Sequence, residues 1–305
     1  MTDPFNEKEL TKTLKKAKQR TLLKMTVVAL LISVAVIAAS FYGHRYWMGK
    51  IQTEVMHEKV NEQAFMSSAN TFTTNVSETQ GFLKGTMTQQ VYKIIEDTII
   101  PWDTQTIHYT NKGFESTTFT STTISVDDTT EIHIPDGQRI MQFYVPQYQY
   151  KTYENDLANM KQYPDDKYIE MAISFEDSFP FEHVQKMLPK ELHVTWYWVN
   201  DFDSKKQKRD MPELDGDLYG FSAPNKNTTV LAQKLLTSEE GINTPERFLE
   251  ALKTYSKEDY ELLKKRQHKK FIAGVVVTGT KKDLAILKNQ SYIKSSSIGA
   301  VVDKN

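Results

Sequence analysis

The dominant pattern along the chain is a long apolar segment close to the N-terminus. Residues Met25–Tyr42 form 18 consecutive uncharged positions, and the segment extends to Trp47 if Gly43 and His44 are accepted at its edge. Since a helix rises about 1.5 Å per residue, such a segment can span the roughly 30 Å hydrocarbon core of a bilayer. The pattern predicts a transmembrane helix over residues 25–47.

This segment has two interpretations, an uncleaved anchor and a signal peptide. A signal peptide has an apolar region of about 7–15 residues behind a short basic region, whereas 24 residues precede the apolar segment here. Ala38 and Ser40 are small enough for a cleavage site, which keeps processing as the alternative. Tyr42, Tyr46 and Trp47 are typical of an aromatic belt at a membrane interface, and they favour the anchor.

The distribution of Lys and Arg predicts the orientation of the anchor. Residues 1–24 hold seven Lys/Arg and three Asp/Glu, a net charge of +4 in a chain of net charge −1, so the remainder carries about −5. Because positive flanks stay in the cytoplasm, we expect a single-pass protein of the cell membrane with a cytoplasmic N-terminus. Residues 48–305 are then extracytoplasmic.

The first 24 residues read as a basic, amphipathic helical arm. Asp3 and Pro4 are suited to a helix start. A thin apolar stripe then recurs at intervals of four, three and four residues, and basic residues recur on another face. The stripe is Leu10, Leu14, Ala17 and Thr21, and the basic residues are Lys8, Lys12, Lys16 and Arg20. A solvated helix that simply continues into the membrane is the plainer interpretation.

Residues 48–150 are predicted to form a membrane-proximal stalk and a β-rich segment. Polar residues dominate up to residue 90, and apolar residues from Val91 to Ile100 then suggest a second helix that ends before Pro101. Residues 104–137 are rich in Thr, Ile and Phe and are interrupted by the turn-forming triplets Asn-Lys-Gly and Pro-Asp-Gly. This composition predicts three strands.

Residues 151–305 are predicted to form one α/β domain. Strands are expected at residues 168–176, 192–198, 271–278 and 292–302, and helices at 181–188, after Thr244, after Ser256 and after Thr280. The whole chain is therefore assigned to the α+β class, with an N-terminal cytoplasmic and transmembrane helix before a mixed α/β extracytoplasmic region.

The sequence offers little catalytic chemistry, and we predict a protein that is not an enzyme, without cofactor or metal. It lacks the common zinc-protease, hydrolase and phosphate-loop motifs, and it has no cysteine. Ser291 and Lys294 fit a Ser-x-x-Lys pattern without its usual companions. Aspartates 201, 203, 215 and 217 are only a weak calcium pattern. The near-neutral charge outside the arm argues against direct nucleic-acid binding.

Three blocks of sequence resemble the sigma-factor regulator family, the membrane-bound anti-sigma proteins of Gram-positive bacteria that hold an extracytoplasmic-function sigma factor. One block is the arm that runs into the span, residues 12–40. The others are AISFEDSFPFEHVQKMLPKELHVTWYWVN, residues 172–200, and GVVVTGTKKDLAILKNQSYIKSSSIGAVVD, residues 274–303. The last block is the most specific, because it keeps a strand, a Thr-Gly-Thr turn, a helix and a second strand in order.

The resemblance implies a signalling protein whose arm binds a sigma factor and whose outside domain, a C-terminal sigma-regulator domain, senses the envelope. The residues carried over to sigma-factor binding are Phe5, Leu10, Leu14, Lys15, Lys16 and Arg20. The arm departs from zinc-binding anti-sigma domains in lacking their His/Cys motif. Inhibition would then use a short helix, with a second membrane protein as a plausible co-regulator.

Two rival functions are open at this point. The protein could be an envelope sensor or scaffold whose basic arm only sets orientation and touches anionic lipids. It could also be an exported enzyme with a site in residues 150–305, for which Ser291 and Lys294 would be the residues to test.

Overall fold

A computed structural model describes residues 7–60, 69–73, 76–125, 131–134, 137–202, 205–216, 218–223 and 243–304. The chain divides into two units, Met1–Thr53 and Glu54–Asn305. The described part combines one long apolar helix with a sheet-rich region that also contains helices, which confirms the predicted α+β class.

The first unit is built on one uninterrupted helix. Helix α1, Glu7–Val55, has 49 residues and is therefore about 74 Å long. It is long and apolar enough to cross a membrane, as predicted, and none of its most apolar stretch is buried by protein. Leu30, Leu31 and Ile37 are each about 60–70% exposed, as lipid-facing side chains would be. The predicted helix start at Asp3 and Pro4 lies outside the described residues.

The second unit begins with a short π-helical segment, Met56–Val60, and then forms a five-stranded antiparallel sheet. Strand β3 pairs with β1, β2 and β4, and β5 pairs with β4. A separate two-stranded ribbon, β6 with β7, follows. The bounds are β1 Thr71–Thr73, β2 Ser77–Gln80, β3 Lys84–Ile95, β4 Thr98–Thr110, β5 Gly113–Phe119, β6 Thr122–Ser125 and β7 Glu131–Ile134.

The second helix predicted before Pro101 is wrong, because these residues form the hairpin of β3 and β4. The register shifts between Val91 and Tyr92, which pair with Asp103 and Pro101, so Trp102 is the extra residue of a β-bulge. Proline lacks an amide donor and is tolerated in strands at such irregular positions. Pro101 therefore marks a bulge and does not end a helix. The turn predicted at Asn111 is confirmed between β4 and β5.

The C-terminal part of the second unit contains another five-stranded antiparallel sheet, in the order β14-β11-β15-β10-β16. Its strands are β10 Lys167–Phe179, β11 His193–Val199, β14 Gly220–Ser222, β15 Ile272–Thr280 and β16 Ile293–Asp303. Four very short strands lie in the connections, with β8 paired to β13 and β9 to β12. They are β8 Gln142–Phe143, β9 Tyr148–Tyr150, β12 Gln207–Arg209 and β13 Glu213–Leu214.

Five short helices complete the described part of this unit. Helices α4 and α5 are capped by Thr244 and Ser256, and α6 begins with a capping box between Thr280 and Asp283, as predicted. Helix α6 is shorter than expected and continues as a 3₁₀ turn at residues 285–287. The helices are α2 Asp156–Asn159, α3 Phe181–Met187, α4 Pro245–Tyr255, α5 Lys257–Arg266 and α6 Lys281–Leu284. A second 3₁₀ turn covers Met160–Gln162.

Both faces of the C-terminal sheet are buried. On one face Ile173, Val275 and Phe221 pack in a cluster with side chains of the helices, such as Phe248 and Leu284. The other face is covered by residues 141–150, where Phe143 contacts Trp196 and Trp198 with ring centroids 6.0 and 5.3 Å apart. Strand β11 alternates in sequence like a half-exposed strand, yet Thr195 and Tyr197 are buried as well.

Close backbone packing at Gly274 gives a test of this sheet. A Cβ there would lie 2.4 Å from the carbonyl oxygen of Ile173 on β10, and a backbone atom cannot swing away. We expect Gly274→Ala to lower the free energy of unfolding by about 1–3 kcal/mol or more. Urea titration of the full chain in detergent, followed by tryptophan emission, would measure this. Gly43→Ala is the control, since its Cβ meets no atom within 4 Å; equal midpoints for both variants would contradict the packing.

Candidate functional site: the N-terminal arm and a buried charge cluster

The arm predicted to bind a partner is the first part of helix α1. Leu10 and Leu14 are 51% and 61% exposed and lie one turn apart on the same face. Lys16 and Arg20 are also one turn apart and exposed, on a separate face, and Lys15 is exposed about 100° around the helix from Lys16. The helix thus exposes five of the six predicted residues: Leu10 and Leu14 form an apolar stripe, Lys16 and Arg20 form a basic stripe, and Lys15 lies outside both. Phe5 lies outside the described residues.

The second unit contains a buried cluster of charges that the sequence analysis missed. The Lys93 ammonium on β3 donates to both carboxylate oxygens of Glu170 on β10, at 3.2 and 3.0 Å. It also donates to Oδ2 of Asp215, just after β13, at 3.1 Å. The side chains of these three residues are 1%, 0% and 3% exposed. One interaction therefore connects the first sheet, the C-terminal sheet and the segment after β13.

Further donors complete this cluster, which we call the charge cluster. The Asn70 side-chain amide donates to Glu170 Oε1 at 3.1 Å and to the carbonyl of Ile94 at 2.9 Å. The backbone amide of Ala69 donates to Asp215 Oδ1 at 2.6 Å, and that of Ala300 donates to Glu170 Oε2 at 3.1 Å. Residues 69 and 70, which immediately precede β1, are thereby tied to the C-terminal sheet.

Two bulges and one glycine make room for the charge cluster. The bulge in β4 places the Trp102 ring 4.4 Å from the Lys93 ammonium, a cation–π contact. The pairing of β10 with β16 shifts beside Glu170, opposite Gly299 and Ala300. A Cβ at Gly299 would lie 2.5 Å from Glu170 Oε2, so only glycine leaves space for the carboxylate. Bulges re-aim side chains in this way.

Burial dominates the electrostatics of the charge cluster. Loss of water raises the pKa of Glu170; Lys93 opposes this shift and Asp215 adds to it. For Lys93, burial lowers the pKa, but the attraction of Asp215 and Glu170 outweighs it and the net shift is upward. The Lys93 ammonium thus faces two carboxylates. It stays charged because its deprotonation would leave both carboxylates buried and unpaired.

A weak signal for this cluster was present in the sequence. Lys93 and Glu170 are single charges inside apolar strand segments, VYKII and YIEMA. A lone charge in such a setting is buried only when it is paired. The partner of each could not be identified, because 77 residues separate them along the chain. Asp215, considered above only as a weak calcium ligand, instead binds Lys93.

The lysine of the Ser-x-x-Lys pattern makes structural contacts in the described fold. The Lys294 ammonium donates to the carbonyls of Val145, Pro146 and Tyr148 at 3.1, 2.8 and 2.7 Å, which uses its three protons. Burial lowers the pKa of Lys294. It holds the segment that covers the C-terminal sheet. Among the described residues, no group of three or more His, Asp or Glu side chains could hold a metal ion.

Two family profiles match the chain. The profile described as sigma factor regulator N-terminal matches residues 11–100, and the profile described as sigma factor regulator C-terminal matches residues 160–300. The chain belongs to the sigma factor regulator family. The predicted resemblance is thereby confirmed. A search of curated proteins and a search of solved structures found no match.

Family membership supports an anti-sigma factor role and implies a sigma factor as partner. The N-terminal match begins in the arm, continues through the apolar part of α1 and ends in β4. The C-terminal match contains the C-terminal sheet almost entirely, including Glu170 and Asp215. Lys93 lies in the N-terminal match, so the charge cluster joins the two regions that define this regulator.

Replacement of Lys93 by methionine should destabilise the second unit strongly. Removing one partner of a buried ion pair costs about 3–5 kcal/mol at neutral pH, because the other charge stays buried and unpaired. Unfolding titrations of the full chain would measure this loss. Lys270→Met is the matched control: its pair with Asp177 is 60% and 58% exposed, and it should change stability by about 1 kcal/mol or less.

The stability of the Lys93→Met variant should change with pH in a defined direction. The pKa of Glu170 is raised in the folded state, so between its ordinary value and the raised one the folded state binds more protons than the unfolded chain. The contribution of the Glu170 carboxyl to the free energy of unfolding therefore falls as pH rises through that window. Loss of Lys93 raises the pKa further, so the difference between Lys93→Met and the unaltered protein should shrink from about pH 8 to about pH 5. A stability difference that stays constant with pH would contradict the pairing of Lys93 with Glu170. So would a Lys93→Met/Glu170→Gln double variant that is no more stable than Lys93→Met alone.

Proposed function

We propose that this family member is a membrane-anchored anti-sigma factor that sequesters an extracytoplasmic-function sigma factor through its cytoplasmic arm. Its second unit would lie outside the membrane and respond to an envelope signal. The observation that carries the proposal is the exposed stripe of Leu10 and Leu14 on a helix continuous with the candidate span. Leucines exposed one turn apart on a helix are the spacing with which an amphipathic helix binds an apolar groove.

The arm fits the helix-in-groove mode of recognition. Leu10 and Leu14, spaced by four residues, would enter an apolar groove of the sigma factor, and Phe5 would extend the contact. Lys15, Lys16 and Arg20 would face an acidic surface and accelerate association. Twenty-four residues can cover only an interface at the small end of the usual range. A second membrane protein is therefore a reasonable co-regulator.

The charge cluster gives the outside unit a mechanical role in this proposal. It fixes residues 69 and 70, close to the start of the second unit, to strands β3 and β10 and to Asp215 after β13. A signal received by the C-terminal sheet would therefore act on the membrane-proximal segment as well. Release of the sigma factor would follow from regulated proteolysis near residues 43–60 or from loss of a partner, since neither needs a stiff helix.

A sensor or scaffold that does not bind a sigma factor is the second candidate. The basic stripe of the arm supports it, because Lys and Arg near a surface of anionic lipids each contribute about 1 kcal/mol. The two candidates differ in what they require of Leu10 and Leu14. Lipid contact needs the charges, whereas a groove needs the leucines.

The pair Leu10→Ala/Leu14→Ala should weaken capture of the sigma factor. Each truncation at an apolar anchor costs about 1–3 kcal/mol, so the pair should reduce affinity by at least tenfold. The measurement is co-purification of extracytoplasmic-function sigma factors with the full chain in native membranes. Gln19→Ala, on the basic face of the same helix, is the matched control and should leave capture unchanged. Capture unaffected by the leucine pair would favour the lipid-contact candidate.

Neutralising the three basic residues of the predicted site should act differently from removing the leucines. Lys15→Gln/Lys16→Gln/Arg20→Gln should slow association with the captured sigma factor and flatten its salt dependence, while dissociation changes little. Surface-captured full chain in nanodiscs would give both rates. An unchanged association rate at low salt would show that these residues do not steer the sigma factor to the arm.

Release by proteolysis predicts that the full-length chain disappears when the target genes are induced. Immunoblots with tags at both ends, taken through an envelope stress, would follow this. Persistence of the full-length chain during full induction would instead favour loss of a partner.

A further inference from the structure

The first sheet ends in two neighbouring turns that carry exposed apolar and basic side chains. Residues 81–83 connect β2 to β3, and residues 111–112 connect β4 to β5. The amide of Asn111 donates to the carbonyl of Leu83 at 2.9 Å. Phe82 is 78% exposed, Leu83 37% and Phe114, at the start of β5, 41%. We call residues 81–84 and 111–114 the double turn.

Leu83 stands in a backbone conformation that it does not favour. Its φ is +60°, in the left-handed region where glycine and asparagine are the common residues. A partly exposed leucine at such a position costs stability and is not repaid by burial in the described fold. Residues held in rare conformations are a reason to look for a function.

Lysines surround these apolar side chains. Lys84 and Lys112 are exposed within the double turn, and the Lys59 ammonium lies 4.9 Å from the centre of the Phe114 ring. Lys59 also pairs with Glu58 at 3.3 Å, and Glu115 follows Phe114 in the sequence. Aromatic rings with flanking lysines are the composition of segments that sit at the headgroup level of a bilayer.

The chain also keeps the double turn near a membrane. Lys59 lies twelve positions after Trp47, the end of the predicted span, which allows a separation of at most about 40 Å. A surface tethered this closely has a high effective concentration at the bilayer, so weak contacts suffice. This holds whichever side of the membrane the second unit occupies.

We propose that the double turn inserts Phe82, Leu83 and Phe114 into the headgroup region of the bilayer that holds α1. Its lysines would contact anionic phosphates there. The outside unit would then have two attachments, the covalent anchor and the double turn, and lipid composition would act on it directly. This inference requires α1 to lie in a bilayer, and it does not depend on sigma-factor binding.

The absence of cysteine from the chain allows a clean test. The full chain carrying Lys112→Cys is labelled with an environment-sensitive fluorophore and reconstituted in phosphatidylglycerol/phosphatidylethanolamine vesicles with spin-labelled lipid. The matched control places the label at Phe119→Cys, another exposed aromatic on β5, about 20 Å further along the strand. We expect severalfold stronger quenching by the lipid at position 112 than at position 119.

Two variants in the Lys112→Cys background make the result decisive. Phe82→Ser should reduce quenching to the level seen at position 119. Leu83→Asn should do the same while keeping the turn, because asparagine accepts the left-handed conformation. Unchanged tryptophan emission would show that both variants remain folded.

Several outcomes would overturn the proposal. Weak quenching at both positions means that the double turn stays in water, and equally strong quenching at both means that the unit lies on its side. A label at position 112 that is shielded from water but not quenched by lipid would indicate a protein partner instead. Quenching that persists in both variants would remove the named side chains from the contact.

Discussion

Lys93 is a buried ammonium, and the architecture of the second unit depends on how its charge is satisfied. Its partners come from three places: Glu170 on β10, Asp215 after β13 and the ring of Trp102 on β4. A buried lysine without them would lose its proton or prevent folding. The first sheet can therefore adopt this arrangement only together with the C-terminal sheet. Such clusters contribute little net stability, but leaving one partly formed is costly. The two sheets are thereby coupled, because neither can keep its buried charge paired without the other.

This coupling bears on how a sigma factor regulator with a candidate membrane helix can work. The hydrogen bonds of Ala69 and Asn70 attach the start of the first sheet to the charge cluster. Under the proposed function, the outside unit would respond as one body. An event close to the membrane, cleavage or loss of a partner, would then release the sigma factor. Contact of the double turn with lipid would restrict that body further. A helix of about 74 Å need not transmit a small displacement if cleavage or partner loss is the event that matters.

Local patterns predicted several elements correctly because their causes are local. The capping residues Thr244, Ser256 and Thr280 begin helices where expected, since each cap satisfies amides within its own first turn. The strands β10, β15 and β16 were found from their β-branched apolar runs. The helix predicted before Pro101 is wrong because apolar residues at short intervals fit a helix and a strand that is buried on both faces alike. Only the bulge at Trp102, which depends on the pairing of β3 with β4, distinguishes them.

The sequence by itself determined the apolar span, the basic arm and the caps, because hydropathy, charge and first-turn hydrogen bonds are properties of neighbouring residues. It also contained the family signature in the blocks at residues 172–200 and 274–303. The tertiary structure decided which charges are buried and which partners they have. Lys93 and Glu170 lie 77 positions apart, and Asp215 lies 122 positions from Lys93. Their meeting depends on strand pairing and on the space left by Gly299, and no local pattern encodes either.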